Sequence, residues 1–105
     1  MGVDLEVARR FGANLRRARR RADLSQEQLG SRASLHRTAI GLLERGARMP
    51  RIDTLVKLAT ALEIPPGELT EGIAWTPATT EAGAFTIESR DEPERRGLPD
   101  EPEAG

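Results

Sequence analysis

The sequence predicts a small all-α domain of five helices, followed by a short extension that contains candidate β-strand residues. Three observations favour this class. Apolar residues recur every three or four positions through most of the first 70 residues, which is the helical period. Residues that start and stop helices interrupt this pattern at short intervals. Only 37% of the residues are apolar and 3% are aromatic, so the core must be small and aliphatic.

The first helix is expected to begin after Asp4, a residue type that caps helices, and to end near Ala22. Gly12 lies inside it and costs about 1 kcal/mol relative to alanine, so the part before Gly12 is expected to be frayed or to form a separate turn. The apolar stripe of this helix consists of Leu5, Ala8, Phe11, Leu15 and Ala18. The rest of its circumference carries arginines at positions 9, 10, 16, 17, 19, 20 and 21.

The second helix opens at Ser25, and Gln28 three residues later completes a capping box. Leu24 before the cap and Leu29 in the second turn are spaced as a hydrophobic staple. We expect this helix to end just before a tight turn over residues 33–35.

The third helix is predicted from about His36 to Arg45, with Ile40 and Leu43 facing inward. Gly46 occupies the position after the helix where a left-handed residue is common. This glycine therefore marks the end of the helix.

The fourth helix is predicted over residues 52–62, and Pro65 and Pro66 end its pattern. A last short helix over residues 66–71 turns Leu69 inward. The apolar face of the fourth helix consists of Ile52, Leu55, Leu58, Ala59 and Leu62.

The chain changes character after the fifth helix. Ile73 and Trp75, and later Phe85 and Ile87, alternate with other residues at the period of a strand. The pattern is compatible with a short hairpin or with a strand that pairs with a second subunit. Two isolated strands are marginal in water, so either arrangement needs packing. Residues 90–105 are charged and contain three prolines, and we expect them to be disordered.

Charge is distributed unevenly along the chain, although its net value is −1. Residues 1–70 hold 13 Lys and Arg against 8 Asp and Glu, a balance of +5, whereas residues 71–105 hold 3 against 9, a balance of −6. This distribution fits a polyanion-binding domain over 1–72, an extension over 73–89 and an acidic tail over 90–105. A solvated surface followed by a solubilising tail explains the charges equally well.

Several classes of function find no support in the composition. The chain has no cysteine and one histidine, which argues against disulfides, thiolate sites and a metal site. It has no glycine-rich phosphate loop, so we expect neither an enzyme nor a bound cofactor. The apolar runs are far shorter than a bilayer span, and the N-terminus lacks the features of a signal peptide. These observations predict a cytoplasmic protein.

Residues 24–51 form a continuous pattern of helix, tight turn, helix and glycine stop. Two helices crossing around a small turn can push one of them into the major groove of DNA. Arg37 and Thr38 open the third helix on the face away from its apolar residues. An arginine there can contact guanine O6 and N7, worth about 1–3 kcal/mol of discrimination, and a threonine can bind a base or touch a thymine methyl group. The alternative for Arg37 is an ordinary exposed charge.

At SQEQLGSRASLHRTAIGLLERG the chain resembles the lambda-repressor-like, XRE-type helix-turn-helix family. The likeness covers about residues 11–71. It rests on the Ser-Gln start of the second helix, the Ile-x-x-Leu-Glu-Arg-Gly end of the third and the Pro-x-x-x-Thr-Leu entry to the fourth. The resemblance implies a sequence-specific DNA-binding transcriptional regulator, usually dimeric.

The resemblance also implies roles for individual residues. The base-facing set would be His36, Arg37, Thr38 and Leu42. Gln26 and Arg51 match phosphate-binding positions, and the alternative for Gln26 is ordinary first-turn filling. Arg45 and Arg48 lie in the same loop as Arg51 and are expected to add to the positive electrostatic field that attracts phosphates.

Arg19 and Glu44 match positions that form a salt bridge between the first and third helices, and we interpret this pair as structural. Three departures from the family pattern predict modest stability. Ser34 replaces a common turn glycine, and must avoid positive φ or bear strain. His36 is a weaker cap than serine or threonine, and Gly30 stands where alanine is common.

We therefore expect a dimeric repressor that binds duplex DNA in a bacterial cytoplasm and is associated with the nucleoid when bound. Dimerisation is assigned to Ile73, Trp75, Phe85 and Ile87, because two aromatics beyond the core favour burial. An antitoxin-like module whose acidic tail binds a partner protein is the alternative function. A third interpretation is that the tail covers the arginines of the first helix in cis.

Overall fold

The computed structural model describes residues 4–78 and 83–88, and within these residues the chain forms five α-helices and two β-strands. The elements are α1 (Leu5–Arg21), α2 (Gln26–Ala33), α3 (Arg37–Glu44), α4 (Ile52–Leu62), α5 (Pro66–Leu69), β1 (Ile73–Thr76) and β2 (Ala84–Ile87). The predicted all-α fold with a short strand pair is confirmed. The disorder expected for residues 90–105 lies outside the described residues. None of the described helices has the length and apolarity needed to cross a membrane.

Side chains cap the first three helices where the sequence predicted their starts. Asp4 accepts hydrogen bonds from two backbone N–H groups of the first turn of α1. Ser25 Oγ accepts from the Gln28 N–H at 3.0 Å, and Gln28 Oε1 accepts from the Ser25 N–H at 2.8 Å. His36 Nδ1 accepts from the Thr38 N–H at 3.1 Å. The weaker cap expected at His36 is thus still a cap, and it aligns the first turn of α3.

The core lies where α1 to α5 meet, and it is aliphatic apart from one ring. Its buried members are Phe11, Leu15, Leu29, Ala33, Ile40, Leu43, Leu58, Ala59, Leu62 and Leu69. Two residues of the predicted apolar faces were assigned wrongly. Leu5 is 56% exposed and Ile52 is 76% exposed. Each is the first residue of its helix, so its side chain lies at the helix end, outside the core.

Gly12 does not interrupt α1, contrary to the expectation of a frayed or separate first turn. A Cβ at this position would lie 2.4 Å from the carbonyl oxygen of Leu43 and 2.5 Å from that of Glu44. The end of α3 therefore rests directly on the backbone of α1. The helix is continuous because this packing offsets the intrinsic cost of glycine.

Left-handed backbone occurs at the ends of several helices, and three of the positions that adopt it are not glycine. Ser34 has φ 58°, so of the two alternatives expected for it, the turn adopts positive φ. Asp23 and Glu63 have φ 61° and 60°, and the predicted helix stop at Gly46 has φ 73°. Left-handed conformation costs an L-residue about 1–2 kcal/mol. Modest stability stays a prediction, and these positions supply a physical reason for it.

The strands pair with each other as an antiparallel hairpin within one chain. Ile73 is opposite Ile87, and Trp75 is opposite Phe85. The two aromatic rings meet edge to face with centroids 5.0 Å apart. Ile73 packs against the core, whereas Trp75 and Phe85 are 54% and 46% exposed. The hairpin therefore turns an aromatic pair towards solvent.

Hydrogen bonds connect the residues at the two ends of the hairpin to α1. Arg10 Nε donates to the Glu71 carbonyl at 3.2 Å, and Arg10 Nη2 donates to the Glu88 carbonyl. The Glu88 N–H donates to the Gly72 carbonyl at 2.8 Å. Asn14, which is buried, donates to the carbonyls of Leu69 and Glu71 at 3.0 and 2.9 Å. Both ends of the hairpin are thus held beside the first half of α1.

Candidate nucleic-acid interface

Helices α2 and α3 are joined by the tight turn that the motif predicted. The Leu35 N–H donates to the Gly30 carbonyl at 2.8 Å, and a Cβ at Gly30 would lie 2.5 Å from the Leu35 carbonyl oxygen. The turn therefore lies directly against the backbone of α2. This close approach explains why Gly30 stands in place of alanine.

Helix α3 has one buried face and one exposed face. Ile40 and Leu43 are buried in the core. The four predicted base-facing residues lie away from them. Of these, His36, Arg37 and Thr38 are exposed, and Leu42 is half-buried. Thr38 and Leu42 are four residues apart and share one side of the helix.

Gln26 and Arg45 converge on α3 at Gly41, which is buried. A Cβ built on Gly41 would lie 3.3 Å from Arg45 Nη1 and 3.7 Å from Gln26 Oε1. Gly41 follows Arg37 by one helical turn, so the guanidinium and the amide flank the same side of α3. The sequence prediction did not include Gly41. Its signal is a glycine inside an otherwise well-formed helix, which indicates close approach of another group.

The remaining predicted phosphate contacts lie in the loop between α3 and α4. Arg48 and Arg51 are exposed, and the side chain of Arg51 is 85% exposed. Arg51 is also the N-cap residue of α4, where its side chain makes no capping hydrogen bond. Its Nε lies 3.5 Å from Asp53 Oδ1, a surface ion pair of little energetic weight. Although the Thr54 N–H in this first turn donates to Asp53 Oδ1 at 2.8 Å, a helix start beside a guanidinium suits an anion.

Arg19 and Glu44 form a two-pronged ion pair between α1 and α3. Arg19 Nε lies 2.6 Å from Glu44 Oε2, and Arg19 Nη2 lies 3.0 Å from Oε1. Arg19 Nη1 also donates to the Leu24 carbonyl, and Gln26 Nε2 donates to Glu44 Oε1 at 3.1 Å. The two side chains are 11% and 3% exposed. This network connects α1, α2 and α3 behind the exposed face of α3.

The environment keeps Arg19 charged. Its hydrogen bond to Glu44 raises the pKa of the Arg19 guanidinium above the ordinary value, burial acts in the opposite direction, and the Glu44 charge adds to the rise. A bidentate bond of this kind has fixed geometry as well as energy. The pair therefore fixes the position of α3 relative to α1.

Residues 15–69 match the model of a protein family described as Helix-turn-helix. The chain belongs to this helix-turn-helix family. Among helix-turn-helix relatives, an uncharacterized HTH-type transcriptional regulator, y4dJ of Sinorhizobium fredii, is 34% identical over 76 residues, covering 72% of this chain and 99% of the relative. Control protein C.BamHI of Bacillus amyloliquefaciens is 38% identical over 60 residues, covering 56% and 74%.

Two solved helix-turn-helix structures share the fold of this chain over about three fifths of its length. The restriction-modification controller protein C.AhdI from Aeromonas hydrophila aligns with a TM-score of 0.61 and 42% identity over 62% of this chain and 94% of its own. The P22 c2 repressor in complex with a synthetic operator aligns with a TM-score of 0.56 and 29% identity over 59% and 94%. The predicted family and fold are both confirmed.

Proposed function

We propose that this helix-turn-helix protein binds duplex DNA at specific sequences and represses transcription by occupying a promoter. The observation that carries the proposal is the exposed start of α3, where Arg37 and Thr38 project from a face flanked by Gln26 and Arg45. Relatives that are named as transcriptional regulators, controllers and an operator-bound repressor support it. The proposal places the protein with the chromosome in a bacterial cytoplasm.

Sequence choice is assigned to the exposed side chains of α3. The Arg37 guanidinium carries two parallel donors that match guanine O6 and N7 in the major groove. Thr38 offers a hydroxyl to a base or a methyl group to thymine, and Leu42 one turn later offers apolar contact. His36 serves as the helix cap and can reach the same groove with the rest of its ring.

Affinity is assigned to cations around α3 and to the starts of α2 and α4. Arg45, Arg48 and Arg51 are exposed guanidinium groups that can neutralise phosphates. Gln26 shares its amide with Glu44, so it would reach a phosphate through its second N–H or its backbone. Such contacts release counterions and make binding strongly dependent on salt, without selecting sequence.

Dimerisation completes the proposal. Two copies of α3 would enter successive major grooves if they lay about 34–36 Å apart, which gives a palindromic site. The exposed aromatic pair of Trp75 and Phe85 is the proposed contact, with the Ile73–Ile87 pair beside it on the same face of the hairpin. Exposed edge-to-face rings gain from burial against a second apolar surface.

Replacing Arg37 with alanine is expected to relax one guanine position in each half-site. The loss of discrimination should be about 1–3 kcal/mol, or roughly 5- to 150-fold, because the paired donors would be gone. Selection from a randomised duplex library at about 0.15 M salt measures this directly. Lys57→Ala is the matched control, since Lys57 is an exposed cation in the middle of α4, outside the predicted contact set.

A palindrome with the wild-type protein and Lys57→Ala, and a relaxed guanine with Arg37→Ala, supports the assignment. If all three proteins enrich the same sequences equally, Arg37 does not contact a base. If no sequence is enriched by the wild-type protein, the proposed function itself is wrong.

Replacing Trp75 with serine is expected to convert the dimer to a monomer at micromolar concentration. The edge-to-face pair with Phe85 would be lost together with the largest exposed apolar side chain of the hairpin. Sedimentation velocity of wild type and variant reports the change. Val56→Ser on α4 is the control, because Val56 is an apolar residue that is 50% exposed. A dimer that survives Trp75→Ser but dissociates with Val56→Ser would place the interface on α4 instead.

A further inference from the structure

An open cleft lined by arginines lies along the outer side of α1. Its volume is about 660 Å³. In the described part of the chain its charged lining consists of Arg9, Arg16, Arg17, Arg20, Arg21 and Arg45, with Glu44 at its inner edge. Glu44 is already bonded to Arg19, so the cleft is strongly positive.

The helical period of α1 places several of these arginines on one side of the helix. Arg9, Arg16 and Arg20 follow one another at spacings of seven and four, which places them on a single stripe with Ala13 between them. Neither the Arg19–Glu44 ion pair nor the Arg51–Asp53 ion pair involves this stripe. Like charges on one helical face repel each other, so an anionic occupant would relieve the repulsion.

The acidic tail leaves the fold beside this cleft. Glu88, the last described residue, is held by Arg10 through its carbonyl and by Gly72 through its N–H. Arg10 is the direct neighbour of Arg9 on α1. The tail therefore begins beside the first half of α1, the helix that carries the arginine stripe.

The tail sequence contains the same acidic motif twice. Asp-Glu-Pro-Glu occurs at residues 91–94 and again at residues 100–103. Each copy carries three carboxylates, whereas the arginines of the tail are at positions 90, 95 and 96. Carboxylates are the natural partners of guanidinium groups, which they can bind in a two-pronged manner.

The length of the tail is sufficient for both copies to reach the cleft. Asp91 is three positions after Glu88, an extended span of about 10 Å, and Asp100 is twelve positions after it, a span of up to about 40 Å. The distance along α1 from Arg10 to Arg20 is about 15 Å. The first motif can reach Arg9, and the second can reach the other end of the stripe at Arg20.

We propose that the acidic motifs at 91–94 and 100–103 bind the arginine cleft of α1 in cis and compete with DNA for the protein. The competition arises at Arg45, because its exposed guanidinium lines the cleft and is also one of the cations to which DNA affinity is assigned above. This regulatory part rests on the proposed function, whereas the contact between tail and cleft does not. A tethered segment acts at a high effective concentration, so weak charge pairs are enough to occupy the cleft.

The contact is tested in the full-length protein without DNA. The chain has no cysteine, so Ala104→Cys provides a single site for a nitroxide spin label at the end of the tail. The label should broaden the amide resonances of α1 between Ala13 and Arg20 at low salt. It should cease to do so near 1 M salt, where the Debye length is about 3 Å.

Two variants of the labelled chain decide whether the arginines hold the tail. Arg16→Ala with Arg20→Ala should abolish the broadening. Arg32→Ala with Lys57→Ala removes the same charge from exposed positions outside the cleft and should leave it unchanged. Absence of broadening in the unsubstituted chain, or equal loss in both double variants, would overturn the proposal.

The effect on DNA is tested with a full-length chain in which the six carboxylates of the two motifs are replaced by amides. If the tail occupies the cleft about nine-tenths of the time, neutralising it should tighten duplex binding about tenfold at low salt. The gain should vanish when Arg16 and Arg20 are also alanine. Unchanged binding by the neutral-tail chain, with weaker binding by the arginine variant, would mean that the cleft is a path for DNA and would refute competition.

The two proposals fail in different ways. If no duplex sequence is selected but the spin label still broadens α1, the proposed function is wrong and the tail contact stands. If specific DNA binding is found but the label broadens nothing, the tail contact is wrong and the DNA-binding assignment is unaffected.

Discussion

Replacing Glu44 with alanine is expected to lower the free energy of unfolding by about 3–5 kcal/mol. The substitution removes both carboxylate oxygens that Arg19 contacts, and it leaves a guanidinium that is 11% exposed without its counter-charge. It also removes the acceptor of the Gln26 amide. Urea unfolding followed by far-UV circular dichroism measures the loss.

Two further variants separate the cost of an unpaired charge from the worth of the pair. Asp53→Ala breaks the exposed pair with Arg51, whose side chains are 85% and 59% exposed, and should change stability by no more than about 1 kcal/mol. Arg19→Met combined with Glu44→Leu removes both charges and should recover much of the loss. A loss of less than about 1 kcal/mol for Glu44→Ala would show that the pair carries no structural weight.

Replacing Gly12 with alanine is expected to destabilise the domain by about 2–3 kcal/mol. The new Cβ would meet the carbonyl oxygens of Leu43 and Glu44 at 2.4 and 2.5 Å, so α3 must move away from α1. The loss should appear even though alanine is the better helix former by about 1 kcal/mol. Denaturant midpoints for the variant and the wild type measure it.

Gly67→Ala is the matched control for this substitution. Gly67 also lies in a helix, but a Cβ there would meet nothing within 4 Å. Alanine at this position should be neutral or should stabilise by about 0.4–1 kcal/mol. Equal effects at positions 12 and 67 would contradict the view that close approach of α3 requires the glycine.

Much of the fold could be predicted because its signals are local. The capping box at Ser25 and Gln28 depends on residues three apart, and the apolar period of α4 together with the following prolines gives both of its ends. The exposed face of α3 follows from the period that buries Ile40 and Leu43. Local patterns of this kind are sufficient for helix positions and for the family motif.

The features that were missed depend on residues far apart in the chain. The sequence around Gly12 does not show that α3 will pack against it. From the sequence alone, the glycine therefore predicts a less stable first part of the helix. The convergence of Gln26 and Arg45 over Gly41 joins side chains from separate elements. Leu5 and Ile52 have the right period, but periodicity does not show where the neighbouring helices end.

The position of Trp75 in the hairpin determines which part of the molecule tryptophan fluorescence monitors. Trp75 is the protein's one tryptophan, and its indole packs edge to face on Phe85 outside the helical core. Its fluorescence therefore follows the hairpin, while far-UV circular dichroism follows the helices. Coincident transitions in the two signals would mean that the hairpin and the helical domain unfold as one cooperative unit, and separated transitions would mean that the hairpin is an appendage that can open alone.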